Sequence, residues 1–212
     1  MTGRANVNRR RILDVALAEL LRDPEASMDQ IARAAGVVRR TVYGHFPSRD
    51  ALVAALVDDA AETVGAARAE ALRAVGDPGD AAEALARAIL AVWEIADGYR
   101  LLVSMAQRSV TVEGILRRLE PVRRESEALL RRGLEAGRFT SVLPAAALSY
   151  VHEQILFGLL QAVNDGLLPP EDAGHSAAVT VLTAAGVRAE EAAELVARIG
   201  TARADGREAE AI

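Results

Sequence analysis

The strongest constraint on the fold of this chain lies in residues 27–48, SMDQIARAAGVVRRTVYGHFPS. Ser27 and Gln30 have the spacing of a capping box, in which each side chain bonds a free backbone N–H at the start of a helix. This spacing predicts a short helix that begins near Met28. The helix is expected to end at Gly36, because glycine readily adopts the left-handed conformation that follows many helices.

A second short helix is predicted directly after this glycine, over about residues 38–45. Phe46-Pro47 ends it, and Ser48 is placed to cap a further helix with its hydroxyl group. A helix over about residues 8–22 comes before both, and its apolar side chains recur three and four positions apart. Three helices, two of them joined by a tight glycine turn, are typical of a helix-turn-helix.

The apolar residues of these helices recur at helical spacing and are expected to form one small core: Ile12, Leu20, Ile31, Ala35, Val42 and Phe46. The polar side chains of the second short helix are then left on its exposed face. Two arginines near a helix N-terminus suit the major groove, because Arg can donate two hydrogen bonds to guanine O6 and N7. Hydroxyl and imidazole groups suit phosphate oxygens.

The candidate DNA-binding residues are Arg39, Arg40, Thr41, Tyr43, Gly44, His45 and Arg49. Gly44 allows the backbone to approach DNA closely, and Arg49 lies in the first turn of the next helix, where an anion is favoured. An ordinary solvated helix would also carry a pair of arginines. The capped helix, the glycine turn and the local positive charge together favour DNA binding over that alternative.

The rest of the chain also favours helix. Alanine and leucine dominate it, aromatic residues make up 3% of the chain, and no hairpin signal interrupts the apolar runs. Turns are expected at 76–80, around Asp97-Gly98, at 135–144 and at 164–172, where Pro169-Pro170 opens a helix. The predicted fold class is all-α. We expect a helix-turn-helix domain at 1–50, a larger helical domain at 51–200 and a disordered tail at 201–212.

Charge is divided unequally along the chain, whose net charge is −5. Residues 1–50 carry nine arginines against six acidic residues, whereas residues 51–212 carry 16 arginines against 24 acidic residues. A basic end on an acidic body predicts different partners for the two parts. The chain has no cysteine, no signal peptide and no convincing membrane span, so a soluble, cytoplasmic protein is expected.

The stretch "RILDVALAELL…SMDQIARAAGVVRRTVYGHFPSRDALVAAL", residues 11–56, resembles the N-terminal domain of the TetR family of transcriptional regulators. The matching positions are Ile12, Leu13, Ala16, Ile31, Ala32, Ala35-Gly36-Val37, Thr41, Tyr43, Phe46 and Ser48. By position, the resemblance implies that Thr41, Tyr43, His45 and Arg49 hold phosphates. It also implies that Arg39 and Arg40 approach bases.

The sequence departs from the family pattern at three places. Val38 stands where the family has a small hydroxyl residue, so the second short helix is expected to lack a side-chain N-cap. Arg40 stands where the family often has glycine, and its long side chain is expected to impose a guanine preference or to clash with other bases. The connection "RDPEAS" is also shorter than is common in the family.

The resemblance further implies a homodimer and a small-molecule effector bound among the middle helices. Two apolar segments, 145–163 and 173–187, are compatible with a four-helix dimer interface, the alternative being that they form intramolecular core. Two recognition helices about 34 Å apart would read a palindromic operator on double-stranded DNA. The candidate effector-binding residues are Trp93, Tyr99, Met105, His152, Gln154 and Phe157, and each has plain core as its alternative.

No catalytic constellation, metal-ligand spacing or phosphate-binding glycine loop is found, so neither enzyme activity nor a cofactor is expected. The leading hypothesis is a ligand-responsive transcriptional regulator, most simply a repressor. The alternatives are a helical interaction protein with an inactive helix-turn-helix, and an enzyme that uses the N-terminal helices only for docking.

Overall fold

The computed structural model describes the backbone of residues 2–75, 80–109, 114 and 117–210, and the side chains of these residues except 2–5, 97, 100–109 and 203–210. All regular structure in this part of the chain is helical, which confirms the predicted all-α class. The helices described there are α1 (Thr2–Arg22), α2 (Met28–Ala34), α3 (Arg39–His45), α4 (Arg49–Arg73), α5 (Ala81–Ser109), α6 (Glu120–Glu135), α7 (Ala145–Asn164), α8 (Pro170–Ala184) and α9 (Ala189–Glu210).

The chain divides into two compact units. The first unit contains residues 1–62 and 99–118, and the second contains residues 63–98 and 119–212. The domain boundary expected at residue 50 lies inside α4, near the start of that long helix. The backbone is helical as far as Glu210, in the segment for which the sequence predicts a disordered tail.

The core of the first unit is the one that the sequence pattern predicts. Its predicted members Ile12, Leu20, Ile31, Ala35, Val42 and Phe46 are all at most 2% exposed. Helix α1 contacts α2, and α2 contacts α3, so the two short helices are held by the long one. This core turns one side of α3 inward and thereby decides which of its side chains face solvent.

The second unit has a larger apolar core, built from α5 to α9. Helix α6 contacts α7, α7 contacts α8, and α8 contacts α9. The small-residue stripe predicted as one half of a dimer interface is buried within the single chain, because Ala173, Ala177, Ala178 and Val181 of α8 are 0% exposed. This side of α8 is therefore intramolecular core, as in the alternative weighed for it.

The turn expected at Asp97-Gly98 is wrong, since α5 runs through both residues from Ala81 to Ser109. A glycine inside a helix costs only about 1 kcal/mol relative to alanine. The alanine, leucine and isoleucine residues of α5 favour helix strongly enough to absorb that cost. A Cβ atom at position 98 would meet nothing within 4 Å, so close packing does not require this glycine.

Two of the other three expected turns can be compared with the structure. Helix α6 ends at Glu135 and α7 begins at Ala145, which confirms the turn at 135–144. Helix α8 begins at Pro170, as the pair of prolines predicts. Residues 76–79 lie outside the described part of the chain. Across the described helices, none is long and apolar enough to cross a membrane.

Candidate nucleic-acid interface

The capping box at the start of α2 is present as predicted. The backbone N–H of Gln30 donates to the Ser27 hydroxyl at 3.2 Å, and the backbone N–H of Ser27 donates to Oε1 of Gln30 at 2.7 Å. Two backbone donors that a helix start leaves free are thus satisfied by side chains. The box fixes where α2 begins, and hence where its partner α3 lies.

The turn between α2 and α3 is a Schellman motif centred on Gly36. The N–H of Gly36 donates to the carbonyl of Arg33 at 3.1 Å, and the N–H of Val37 donates to the carbonyl of Ala32 at 3.0 Å. Gly36 has φ +65°, a conformation that residues with a Cβ atom rarely adopt. The glycine therefore sets the angle at which α3 leaves α2.

Helix α3 lacks a side-chain N-cap, which confirms the consequence expected from Val38. Val38 occupies the N-cap position in an extended conformation and makes no side-chain hydrogen bond to the helix. Its side chain is 69% exposed, an unusual value for valine. The start of α3 is therefore an exposed apolar residue followed directly by two arginines.

The side chains of α3 are arranged around the buried Val42. At about 100° per residue, Arg40 and Gly44 point away from Val42, whereas Arg39 with Tyr43, and Thr41 with His45, lie on the two flanks. Arg39, Arg40, Tyr43 and Gly44 are exposed, while Thr41 and His45 are half-buried. The outward face of the helix thus carries a guanidinium group at its centre.

Arg39 has partners within the first unit. Its Nη1 donates to Oδ2 of Asp29 at 2.9 Å, and its guanidinium carbon lies 5.0 Å from the centroid of the Tyr43 ring. A contact of 3.4 Å from Nη2 to the Tyr43 hydroxyl is long for a hydrogen bond. Arg39 therefore bridges α2 and α3 and lies against the tyrosine, although its side chain remains 65% exposed.

Arg40 differs from Arg39 in this respect. It is exposed, and no hydrogen bond, ion pair or ring contact links it to the described residues. An exposed guanidinium without a protein partner keeps all five of its N–H donors available to a ligand. The departure of position 40 from the family pattern therefore adds a free cation at the centre of the outward face.

Arg49 lies at the start of α4, where Ser48 caps the helix as predicted. The backbone N–H of Ala51 donates to the Ser48 hydroxyl at 3.1 Å, and Nη2 of Arg49 donates to the backbone carbonyl of Pro24. An open groove of about 390 Å³ lies here, lined by residues 25–29 together with Arg39, Tyr43 and Arg49. Two cationic side chains and one phenol thus share one groove beside α3.

All seven DNA-binding candidates belong to the first unit, so the structure brings them together on one short helix and the start of the next. The effector-binding candidates are not all in one unit. Trp93, His152, Gln154 and Phe157 lie in the second unit, Tyr99 lies in the first, and the side chain of Met105 lies outside the described residues. Gln154 is exposed, and Phe157 is half-buried.

Two of the effector-binding candidates are buried. Trp93 is 5% exposed, and its indole ring lies against Gly174 of α8, where a Cβ atom would come within 3.0 Å of it. His152 is also 5% exposed, and its Nε2 atom has no hydrogen-bond partner among the described residues. Burial lowers the pKa of His152 to about 4, so the imidazole is neutral at pH 7.

Sequence reasoning missed a buried arginine in the second unit. Arg68 of α4 is 2% exposed, and it occupies the same row as Val64 and Leu72, four positions before and after it. A charged residue inside an apolar i, i+4 row is the signal that could have identified it. Within the described residues, no group of three His, Asp or Glu side chains is placed to hold a metal ion.

Two family models match the chain. The model described as "Bacterial regulatory proteins, tetR family" matches residues 12–56, and the model described as "Tetracyclin repressor-like, C-terminal domain" matches residues 80–198. The first match covers the helix-turn-helix, and the second covers more than half of the chain. No curated protein sequence is similar enough to match.

Solved structures share the fold at low sequence identity. The structure of RolR in complex with the ligand resorcinol has a TM-score of 0.66 and 23% identity, and the match covers 93% of this chain and 97% of that one. The TetR-like regulator LfrR from Mycobacterium smegmatis, in complex with proflavine, has a TM-score of 0.65 and 23% identity, over 86% and 98%. The regulator FadR from Bacillus subtilis, in complex with stearoyl-CoA, has a TM-score of 0.67 and 17% identity, over 82% and 98%.

Proposed function

Since the chain belongs to the TetR family of bacterial regulatory proteins, it is a transcriptional regulator, and we propose that it represses transcription by binding a palindromic operator as a homodimer. A small-molecule effector bound in the second unit releases the DNA. Regulators of this family bind DNA and are not enzymes, in agreement with the expectation from the sequence.

The observation that carries this proposal is the outward face of α3. Val42 is 0% exposed and fixes the helix to the core, so that Arg40 points away from the protein. A helix that presents an unpaired guanidinium on its outward face, near its N-terminus, can enter the major groove and donate to guanine O6 and N7. Arg40 is therefore the base-reading residue of the proposal.

Arg39 has a different role in the proposal, because Asp29 and Tyr43 already hold it. Its guanidinium group fixes the position of the tyrosine ring, and the phenol donates to a DNA phosphate. Arg49 contacts the same strand from the start of α4, on the other side of the groove that both residues line. Contacts of this kind set the position of a protein on DNA without reading its sequence.

Thr41 and His45, on the opposite flank of α3, hold the phosphates of the other strand in the proposal. They are half-buried, so they reach the backbone at the rim of the groove and not the bases at its floor. Gly44 lies beside Arg40 on the outward face, and a Cβ atom there would meet no protein atom within 4 Å. The open position lets α3 enter the groove deeply.

The proposed dimer interface is the exposed side of α7. Ala146, Tyr150, Gln154 and Gly158 recur four positions apart along it, and all four are exposed in the single chain. The small residues at the two ends of this row, Ala146 and Gly158, allow two helices to approach closely when they cross. Two helices from each protomer, α7 and α8, would complete a four-helix bundle.

The effector acts through a difference in affinity between two conformations. A small molecule that binds more tightly when the two copies of α3 are wrongly spaced lowers the affinity for the operator by the same factor. The similar structures of RolR, LfrR and FadR contain resorcinol, proflavine and stearoyl-CoA. These ligands differ widely in size and charge, so they support the presence of an effector without identifying its chemistry.

The proposal is tested by fluorescence anisotropy with labelled duplexes that tile the DNA upstream of the protein's own coding region. One duplex is expected to bind best, and its affinity should fall steeply with salt. The logarithm of the association constant should fall with the logarithm of the salt concentration, with a slope of about −0.9 for each phosphate neutralised. Arg40→Ala should cost about 1–3 kcal/mol on that duplex and reduce the preference for it. Arg39→Ala, Tyr43→Phe and Arg49→Ala should weaken binding to all duplexes alike.

Arg73→Ala is the matched control, because Arg73 is 70% exposed and lies in the second unit. It should change neither affinity nor preference. Binding that does not respond to salt, or that Arg40→Ala leaves fully selective, would contradict the assignment of α3 to the groove. An absence of binding to any duplex would instead favour a helical interaction protein with an inactive helix-turn-helix, an alternative that the uncapped start of α3 supports.

A further inference from the structure

The second unit encloses a guanidinium group that the protein satisfies only on one side. The side chain of Arg68 is 3% exposed, and its Nη1 donates to Oε2 of Glu125 at 2.8 Å. Its Nη2 atom is buried and has no hydrogen-bond partner among the described residues. One edge of a buried cation therefore lacks the acceptor that such groups nearly always have.

The pairing with Glu125 does not neutralise this region. The Glu125 side chain is 57% exposed, so the anion of the pair lies towards solvent while the cation lies inside. Burial lowers the pKa of the Arg68 guanidinium from its ordinary value, although Glu125 opposes this shift, and the positive charge of the exposed Arg132 adds a smaller lowering. Arg68 is therefore a buried cation whose counter-charge lies towards solvent, which is unfavourable in an apolar interior unless another anion approaches it.

A second unsatisfied polar atom borders the same stretch of α6. Glu125 of α6 is bonded to Arg68, and the carbonyl of Arg123 accepts the Ser149 hydroxyl of α7 at 3.1 Å. His152, whose Nε2 atom lacks a partner, lies one turn after Ser149 on α7. Both unsatisfied groups thus flank α6 near residues 123–125, one on α4 and the other on α7.

We propose that Arg68 binds the carboxylate group of an organic effector, through the Nη2 edge that Glu125 leaves free. This inference rests on the proposed function, since it names the chemical class of the effector that releases the DNA. The two N–H donors of Nη2 match the oxygens of one carboxylate. A carboxylate carries one negative charge, whereas a phosphate group carries more negative charge and needs more donors than this edge offers.

The neutral imidazole of His152 supplies the second polar contact. It offers one N–H donor or one lone pair at Nε2, which suits a hydroxyl or carbonyl group of the same molecule. The core of the second unit is otherwise apolar, so the remainder of the ligand would meet apolar side chains. The effector is therefore an acid with an apolar body, held by its charged end at Arg68.

The test is isothermal titration calorimetry on the full chain, with four carboxylates each compared with its primary amide. The probes are hexanoate, octanoate, benzoate and 1-naphthoate. At least one carboxylate is expected to bind more tightly than its amide, and Arg68→Met should weaken that carboxylate by about 10- to 100-fold while leaving the amide unchanged. Arg73→Met, on the exposed side of the same helix, is the matched control and should bind as the parent chain does.

Arg68→Met is expected to fold, because an apolar side chain of similar length replaces a poorly satisfied cation. Circular dichroism and thermal unfolding verify this, and Arg68→Lys, which keeps the charge with fewer donors, should bind the carboxylate with intermediate affinity. The proposal is overturned if no carboxylate binds better than its amide, or if Arg68→Met binds the carboxylate as the parent chain does.

Calorimetry separates this inference from the proposed function, because it needs no DNA. If the chain binds a carboxylate through Arg68 but binds no DNA, the anion site stands and the repressor proposal fails. If the chain binds its operator and no probe binds through Arg68, the repressor proposal stands and the anion site fails. Where both hold, the carboxylate should release the labelled duplex from the parent chain and not from Arg68→Met.

Discussion

The two compact units place arginine in opposite surroundings. In the first unit Arg40 is exposed on the outward face of α3, and Arg39 remains 65% exposed even with Asp29 beside it. In the second unit Arg68 is 3% exposed and lacks a partner on one edge. A surface cation costs the folded state little and can meet a large polyanion, whereas a buried cation must be satisfied by something small enough to enter. The comparison supports the proposals that the first unit binds DNA and that the second unit binds a small anion.

The glycines show the same contrast between an open face and a filled interior. A Cβ atom at Gly44 of α3 would meet nothing within 4 Å, whereas one at Gly133 of α6 would lie 2.2 Å from the Phe139 ring. At Gly186, between α8 and α9, it would lie 2.4 Å from the Thr140 hydroxyl and 2.9 Å from the Thr140 backbone. The second unit is thus closely packed at these two positions, whereas the outward face of α3 is open at Gly44.

The largest effect is expected for Gly186→Ala. Gly186 has φ +91°, which strains any residue with a Cβ atom, and the new methyl group would overlap the backbone of Thr140. The N–H of Thr140 donates to the Ala185 carbonyl at 3.0 Å, so the loop cannot move away without losing this bond. The free energy of unfolding, measured with urea, should fall by about 4 kcal/mol.

Gly166→Ala is the matched control for that substitution. Gly166 also has a left-handed conformation, φ +71°, but a Cβ atom there would meet nothing within 4 Å. It should therefore show only the conformational cost, about 1–2 kcal/mol. Equal losses for the two variants would mean that the Thr140 loop does not pack against Gly186 as described, and would remove the contrast in packing.

The next effect concerns pH and the buried histidine. The pKa of His152 is about 4 in the folded chain, against 6.5 for an ordinary histidine, because burial disfavours the charged form. The unfolded chain therefore takes up a proton as the pH falls below about 6.5, while the folded chain resists until about pH 4. The free energy of unfolding should therefore fall by about 3 kcal/mol between about pH 6.5 and pH 4, and His152 should cause no further loss below about pH 4.

The measurement is urea unfolding from pH 7 to pH 4 for the parent chain, His152→Leu and His175→Leu. His175 of α8 is exposed, so its replacement should leave the pH dependence unchanged. His152→Leu should lose a large part of the dependence, with the carboxylates accounting for the rest. If the two variants follow the same curve, His152 is not buried in solution, and the interior of the second unit is more hydrated than the structure indicates.

Local chemistry explains which parts of the fold could be predicted from the sequence. The capping box at Ser27, the left-handed glycine at position 36 and the helix start at Pro170 each depend on residues within a few positions of one another. The exposed face of α3 follows from helical periodicity once Val42 is placed in the core. Each of these features depends on a short segment of sequence, and the structure confirms them.

Tertiary contacts explain what could not be predicted. The pairing of Arg39 with Asp29 joins residues ten positions apart across the glycine turn, and sequence alone shows only two exposed charges. The burial of Arg68 depends on which side of α4 is covered by α6. The preference of Gly98 alone predicts a helix break, but the strong helix formers on both sides outweigh it. In each case a contact between distant residues, or the summed helix preference of many neighbours, outweighs the preference of the single residue.

A smaller loss of stability is expected when the glutamate partner of the buried Arg68 is neutralised, and the exposed Arg73 pair provides the comparison. Glu125→Gln removes the counter-charge of Arg68, and a buried cation without its partner is costly even though Glu125 is half exposed. Urea unfolding should show a loss of about 1–3 kcal/mol. Glu70→Gln makes the same chemical change beside Arg73, whose pair with Glu70 is about 70% exposed on both sides, and should cost at most about 0.5 kcal/mol. Losses of equal size would show that Arg68 reaches solvent.

The smallest effect on stability, and the most informative about the open face, is expected for Gly44→Ala. Alanine favours helix over glycine, and the added methyl group meets no protein atom, so the free energy of unfolding should rise by about 0.5–1 kcal/mol. Gly98→Ala is the matched control, because Gly98 also lies within a helix and a Cβ atom there would meet no protein atom within 4 Å. It should raise the free energy of unfolding by a similar amount.

The two variants should differ in DNA binding. The methyl group at position 44 would lie between α3 and the groove and weaken binding about fivefold in anisotropy titrations, whereas Gly98→Ala should bind as the parent chain does. A Gly44→Ala variant that is more stable and binds DNA as tightly as the parent chain would show that the face beside Arg40 does not approach DNA closely.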